Sequence, residues 1–448
     1  MRKRLLNSLI ITLLMKTVGV NAADDLSSMF SEGKLSGQIR EFSIVRTYKK
    51  STSQDDSRSA NAVGGYLKYE TADFKGLSLG AAFYTTNGFL NDSPKTNYSK
   101  VDPTLLGKDN ESYSILGEVY LEFKFDNTAF KGGRQKLNTP MASADDARML
   151  PNLFEAYVLS NTDIADTTLV AGHVSKFAQG TFGRVYDGGI LSATSGYSPV
   201  DSRDQVGGFE NIGTYTVGES TDGISLASVT YTGIEGLKLQ LWDYYAHDIL
   251  NAIYAQADYK MDIKSAMAFL SVQFIKENDV GKSLIKNIGG DGKIDSDYWA
   301  IKLGAKVQNL SAYVAYSQTS KNDAGDASYA NAIVSPWGGM PAFTQGMVTR
   351  HQFLAGTKAT KLAATYDFKD MGVDFKTTLY YTSYDMDINN GYTFDDASEM
   401  GFDIIYHPEI IQNLQVRLRA NYADDFHVSA ADATTSWDEY RFILNYNF

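Results

Sequence analysis

The chain has 448 residues, a formal charge of -12 at pH 7, no cysteine, 29 Tyr, 23 Phe and eight Pro. A mean hydropathy of -0.26, with no run of about 20 apolar residues beyond the N-terminal region, argues against a bundle of membrane-spanning helices. The acidic balance disfavours nucleic acid as a partner, and zero cysteines fit a route through an oxidising compartment.

Arg2, Lys3 and Arg4 precede an apolar stretch over 5–20, and Val20-Asn21-Ala22 offers a small-residue cleavage pattern, so residues 1–22 are expected to be a cleaved signal peptide. A membrane anchor is the competing reading; Asn7, Ser8 and Lys16 interrupt the stretch and no stop-transfer pattern follows. Removing the four basic leader residues takes the charge from -12 to -16. The remainder, 23–448, reads as a single domain.

That domain is a succession of alternating segments. Strands are expected over 34–46, 61–70, 76–85, 112–125, 129–136, 155–161, 167–174, 224–232, 236–244, 251–260, 264–275, 298–308, 310–318, 360–368, 372–383, 400–407, 413–422 and 438–448. In 413–422, Leu414, Val416, Leu418, Ala420 and Tyr422 alternate with Gln415, Arg417, Arg419 and Asn421. The phase of 34–46 and 264–275 is ambiguous. Short returns such as 69–77, 231–237, 307–311, 366–373 and 410–414 join the strands at one end, whereas long connections rich in Asp, Ser, Gly and Asn join them at the other. Without spanning helices, backbone groups in hydrocarbon can be satisfied only by a closed barrel. The expected fold is therefore an all-β transmembrane antiparallel barrel of about 18 strands, with short periplasmic turns and long extracellular loops. The aromatic abundance suits girdles at both bilayer interfaces.

Three connections stand out. Residues 134–154 (RQKLNTPMASADDARMLPNLF) contain two prolines and an Asp-Asp-x-Arg core, and are expected to fold inward with Asp145, Asp146 and Arg148 at a constriction; an exterior loop stapled by Asp–Arg pairs is the bland reading. Gly132-Gly133 just before it is expected to mark a bulge, which leaves the facing of Arg134 undetermined. The connections 175–223 and 319–359 are too long for turns and should fold over or into the mouth. At the end of the chain, Tyr440, Phe442, Leu444, Tyr446 and Phe448 share one face, with Tyr446 and Phe448 read as the barrel-assembly signal.

Apolar positions facing lipid put the opposite phase in the lumen, where Arg40, Lys302, Lys306, Lys376, Arg417, Arg419 and Arg441 form a basic ladder, joined by Lys68 and Lys238. Such a lining favours anions. Cross-strand pairing with Asp and Glu is the alternative for each residue taken singly.

The run GRQKLNTPMASADDARMLPNLFEAYVL resembles the constriction segment of the OprD-type outer-membrane porins, especially their epsilonproteobacterial branch, and further matches lie at DTTLVAGHVSKFAQGTFG (166–183) and PWGGMPAFTQGM (336–347). The resemblance implies an eighteen-stranded barrel in the bacterial outer membrane, an inward third loop and a ladder of basic residues guiding solutes that carry a carboxylate. It places Asp145, Asp146 and Arg148 on the constriction motif.

The function expected is passive diffusion of small hydrophilic solutes, with preference for anionic or carboxylate-bearing molecules. A surface adhesin or structural barrel with a plugged pore is the alternative. Expected partners are the solutes, outer-membrane lipid and lipopolysaccharide, and the barrel-assembly machinery; a monomer and a trimer both remain open. No cofactor, metal or catalytic residue is expected. His173, His247, His351, His407 and His427 are scattered without HExxH spacing, Lys276 replaces the first glycine a phosphate loop would need before Gly281-Lys282-Ser283, and the calcium-like run 287–297 lacks its third and twelfth ligands.

Overall fold

Strand β1 (Lys34–Lys50) pairs on one side with β2 (Asp56–Glu70) and on the other with the last strand, β19 (Thr434–Asn447), so the sheet has no free edge. This computed structural model describes residues 23–90, 100–186, 188–200, 207–339 and 341–448; the expected signal peptide lies outside them. Between those ends run β3 (Leu77–Gly88), β4 (Tyr113–Phe125), β5 (Thr128–Gln135), β6 (Leu153–Asn161) and β7 (Thr167–Ala178), then β9 (Ile224–Tyr231), β10 (Leu237–Ala246), β11 (Leu250–Ile263), β12 (Ala266–Asp279) and β13 (Asp295–Val307). The circuit ends with β14 (Leu310–Thr319), β15 (Lys358–Asp367), β16 (Phe375–Asp385), β17 (Ala397–Tyr406) and β18 (Leu414–Val428), each antiparallel to its neighbour. A two-residue piece, β8 (Glu210–Asn211), only caps the upper end of β7, while β9 pairs directly with β7; the closed barrel therefore has 18 strands. No helix among the described residues is long and apolar enough to cross a membrane. Strands cross instead, and closure satisfies their amides and carbonyls without water.

Side-chain sorting follows from the two-residue period. On β19, Tyr440, Phe442 and Tyr446 face outward while Glu439, Arg441 and Asn445 are buried on the inner side. The ambiguous segment 34–46 resolves into an outward face with Ile39 and Val45 and an inward face with Arg40, Phe42, Ile44 and Arg46. Phe42 and Ile44 point inward because they pack beneath the second and third loops, against Leu105, Leu106, Met149 and Leu150. Apolar residues on both faces had erased the alternation. In β12, Leu270, Val272 and Phe274 face out and Ser271, Gln273 and Ile275 face in.

Two expectations need correcting. Several strands run further at the extracellular end than expected, β18 reaching Val428 and β19 beginning at Thr434. Above the bilayer one face meets water and the other meets loops, so the apolar–polar contrast that marks a strand fades while pairing continues. The bulge expected at Gly132-Gly133 is not there, because Val119↔Arg134 and Tyr120↔Gly133 stay in register. Gly133 has φ +121°, and a Cβ there would sit 2.3 Å from the Val119 carbonyl oxygen, so glycine allows close backbone approach instead. Register shifts occur between Ala82 and Phe83 and between Glu155 and Ala156.

At the mouth, the described residues of the third (136–152), fourth (179–223) and seventh (320–357) loops pack against one another. Their buried side chains, among them Leu137, Phe182, Tyr197, Tyr215, Trp337 and Phe353, form one apolar cluster with the upper barrel wall. Backbone bonds join the three: Ser143 N–H donates to the Trp337 carbonyl (3.0 Å), Gly338 N–H to Gly196 (2.8 Å) and Ser335 N–H to Ala193 (3.0 Å). Gly338, at φ +81°, would place a Cβ 2.2 Å from the Ser143 carbonyl oxygen, so a larger residue would push the third and seventh loops apart.

Candidate functional site

The third loop is held by the residues that singled it out. Asp146 reaches the barrel wall, where it accepts from Arg40 Nη1 at 2.7 Å, and Arg40 Nε donates to Asn445 on β19 at 2.8 Å. Arg148 turns the other way; its Nη2 donates to Glu439 at 2.7 Å and its Nε to Thr104 of the second loop at 3.2 Å. Asp145 binds neither wall. It accepts from Arg350 of the seventh loop at 3.2 Å and from the Tyr197 hydroxyl of the fourth. The Asp-Asp-x-Arg spacing thus sends three successive charged side chains to three different supports.

Their exposure separates their roles. Asp146 keeps 40% of its side chain exposed, whereas Arg148 keeps none. Asp146 is therefore open to solvent, and Arg148 works as a buried tie between loop and wall. Burial pushes the Asp146 carboxyl up, but Arg40, with Lys136 behind it, more than offsets this and holds it below the usual carboxylate range. Burial and the neighbouring guanidiniums of Arg441 and Arg46 lower the proton affinity of Arg148 while Glu439 raises it; an arginine so placed is still a cation at neutral pH.

Glu439 is the hub of this buried group. It takes Arg148, Arg46 Nε at 3.0 Å and Arg441, and Arg46 also pairs with Asp102 at 3.0 Å. Ionic groups this deep are sustained only by mutual pairing. Next to them on the wall, Asp403 is shared by Arg417 (Nε, 2.8 Å) and Arg419 (3.3 Å). Arg40, Arg46, Arg148, Arg417, Arg419 and Arg441 thus face Asp102, Asp146, Asp403 and Glu439, leaving this wall electropositive.

The other ladder residues are placed differently. Lys302 on β13 and Lys361 on β15 flank Ala315 on a single rung, about 10 Å apart across two strand spacings. Lys302 lies over the Phe343 ring at 4.2 Å, and Lys361 donates to the Gln345 carbonyl beside the Tyr380 ring. Neither has a carboxylate ion-pair partner among the described residues. Lys376 pairs with Asp367 at 3.3 Å near the periplasmic turn, and Lys306 lies exposed on the rung shared with Ser311. Lys361 was absent from the expected ladder, although the outward Leu362 beside it carried the needed parity signal. Alternation marks Glu439 as inward, but the partners of Arg350, Glu439 and Asp403 had no recognisable signal, because they come from loops and strands remote in sequence.

The two further motifs land in the same place. Thr181 of QGTFG accepts from the amides of Met149 and Leu150 at 3.1 and 3.2 Å, and Phe182 lies between the guanidiniums of Arg148 (4.7 Å) and Arg350 (4.4 Å). Trp337 of PWGGMPAF donates from Nε1 to Thr216 at 2.9 Å. All three runs fasten loop to loop at the mouth of the barrel.

A family model described as outer membrane porin, OprD family, matches residues 28–448. The chain belongs to the OprD family of outer-membrane porins. Among solved structures from Pseudomonas aeruginosa, OccK9 (OpdG) is 19% identical with a TM-score of 0.74, OpdK with vanillate is 16% identical with 0.72, and OccK2 (OpdF) in complex with glucuronate is 17% identical with 0.69. Each alignment covers 94% of this chain and 99% of the other. No curated protein is significantly similar. As a member of the family, this porin resides in the outer membrane and forms a β-barrel channel.

Two sequence patterns that suggest chemistry lack the geometry for it among the described residues. Gly76-Leu77-Ser78-Leu79-Gly80 spells a Gly-x-Ser-x-Gly pattern, but Ser78 sits within β3 opposite Glu122, not on the strand-to-helix turn that such a nucleophile needs. In 287–297, Asp295 turns to Lys276 and Asp291 to the Lys293 amide, so the carboxylates do not converge. No His, Cys, Asp or Glu group suited to a metal occurs among the described residues.

Proposed function

We propose that this porin passes small hydrophilic solutes passively and prefers anions, in particular molecules bearing a carboxylate. The observation that carries the reading is the rung of Lys302 and Lys361, whose charges have no carboxylate ion-pair partner among the described residues and stand beside the Arg417/Arg419 cluster on one wall. Charge on one side of a narrow aqueous path concentrates the opposite ion, and acids such as Asp146 and Asp403 keep the attraction weak enough for release. Asp145 and Asp146 shape the constriction while Arg148 holds its loop in place. The glucuronate and vanillate bound by two structural neighbours, both carboxylates, support the solute class. No catalytic role is assigned. The DD-x-R motif supports the epsilonproteobacterial branch of the family, and residues 1–22 act as the cleaved leader of a single barrel domain.

Planar bilayers test this directly: purified protein should give discrete current steps and, under a salt gradient, a reversal potential of anion-selective sign. Cation-selective steps would overturn the preference. The packed core of the third, fourth and seventh loops favours one other reading, a plugged barrel whose loops bind a surface partner. A barrel that inserts, is heat-modifiable and never conducts would establish it.

A further inference from the structure

Arg40 touches the third loop twice, at the Asp146 carboxylate and at the Arg148 carbonyl, while its Nε is tied to the barrel through Asn445. That tie is the first link of a longer series. Arg40, Asn445 and Gln415 share one rung of the sheet, and the same register carried just past the last pairs of β18 with β17 and of β17 with β16 adds His407 and Asp374. Rungs cross tilted strands, so this one descends from the third loop to the periplasmic turns. The side chains bond in order along it. Arg40 Nε reaches Asn445 Oδ1 at 2.8 Å, Asn445 Nδ2 reaches Gln415 Oε1 at 3.1 Å, Gln415 Nε2 reaches His407 Nε2 at 3.3 Å, and His407 Nδ1 reaches Asp374 Oδ1 at 3.4 Å.

The series has a fixed direction. A guanidinium only donates and a carboxylate only accepts, so each amide between them turns its oxygen toward Arg40 and its nitrogen toward His407. His407 must then accept at Nε2 and donate at Nδ1, which is one tautomer of the neutral ring. An imidazolium donates from both nitrogens. Its Nε2–H would meet the Gln415 amide protons; turning Gln415 over passes the conflict to Asn445, and turning Asn445 over sets its amide against Arg40 Nε. Wherever the fault comes to rest, one bond of the series is lost. The charges around the ring do not relieve it. Asp374, itself paired with Lys369 at 3.7 Å, accepts from Nδ1 in either state, and Lys376 on β16 is engaged by Asp367. Glu409 of the same turn and Asn447 of β19 line the cleft beside the ring, and Arg417, two residues along β18 from Gln415, is spent on Asp403. His407 keeps 45% of its side chain exposed, so protons reach it from periplasmic water.

We propose that Asn445, Gln415 and His407 are positioning residues for the third loop: they fix Arg40, and through it Asp146 and the Arg148 carbonyl, while His407 is neutral, and protonation of His407 from the periplasmic side loosens that hold. The loop is then steadied from below by a titratable group on the far side of the barrel from the mouth. The inference rests on the barrel conducting, and not on its preference for anions.

Single channels in planar bilayers, with only one compartment acidified from about pH 7.5 to about pH 5.5, test the series across the range in which imidazoles change charge. Acid on the periplasmic side should make brief open-channel current fluctuations about tenfold more frequent, the size of one hydrogen bond from a charged donor, and acid on the other side should not. His407→Gln, whose amide can accept from Gln415 and donate to Asp374, should stay quiet at both values. Gln415→Leu should fluctuate at neutral pH as the acidified wild type does and respond no further. Heat-modifiable mobility checks that each variant is folded, and hydrogen–deuterium exchange of the third-loop amides, compared between wild type and His407→Gln at the same acid pH, should be faster in the wild type. Equal acid responses in wild type and His407→Gln, or a quiet Gln415→Leu channel, would overturn the proposal and leave the anion preference standing. A barrel that carries no current would remove the channel reading itself, and the exchange comparison would still decide whether His407 controls the loop.

Discussion

Lys302→Gln combined with Lys361→Gln isolates charge selection from folding. Neither ammonium has a carboxylate ion-pair partner among the described residues, so neutralisation leaves no carboxylate stranded, and glutamine can still donate to the Gln345 carbonyl that Lys361 now contacts. At about 6 Å in water a unit charge biases a passing ion by about 0.7 kcal/mol, which screening at about 0.1 M salt reduces to about 0.4 kcal/mol. That energy changes the local anion concentration about twofold and the cation concentration about twofold the other way, so each lysine is worth about fourfold in the anion-to-cation permeability ratio and the pair on the order of tenfold. The reversal potential of single channels under a salt gradient reads this ratio, and it should move toward the cation side in each single variant and further in the double. Arg441→Gln supplies the contrast: its side chain is buried against Glu439, so it should cost about 3 kcal/mol of stability and move the reversal potential far less. A folded double variant with wild-type selectivity would refute the assignment of the lysine rung.

Arg148→Ala removes the tie between the third loop and Glu439, and should raise single-channel conductance and its noise as the loop loosens, with about 3 kcal/mol lost from the melting of the barrel. Asp146→Asn leaves Arg40 without its counter-charge and should increase anion preference. The Asp146 carboxyl titrates below its unfolded value, so its contribution to stability is present above that value and fades as pH falls through the folded one; the asparagine variant should lack this acid-side loss in a melting series. His351 in the seventh loop is fully buried against Phe426, Tyr384 and Tyr392, and burial, with His427 adding to it and the Phe426 carbonyl opposing, pushes it down to about 4. The unfolded chain then binds the extra proton first, so stability is complete above about pH 6.5 and declines toward pH 4, by about 3 kcal/mol at the limit. Protease cleavage of the seventh loop should rise over that window and be flat for His351→Gln.

Barrel class, strand order and most of the side-chain sorting were legible because a strand between lipid and water must alternate, and the residues of 414–422 and 119–125 say so locally. The third loop declared itself through DD-x-R, though not which of its charges would face water. Arg148 and Asp146 are two residues apart and look equally suited to a constriction; burial beneath the second loop made one a tie and left the other open.

Residue type and spacing by themselves determined that this chain closes into a barrel, because backbone groups in hydrocarbon leave no other arrangement for a polar, alternating sequence. Only the tertiary structure decided which cations are spent on carboxylates and which remain for a solute, since Arg441, Arg148 and Arg46 meet Glu439 from a strand, a loop and the opposite end of the chain. Pairing across such distances depends on how the loops pack into the mouth, and no local pattern encodes that packing.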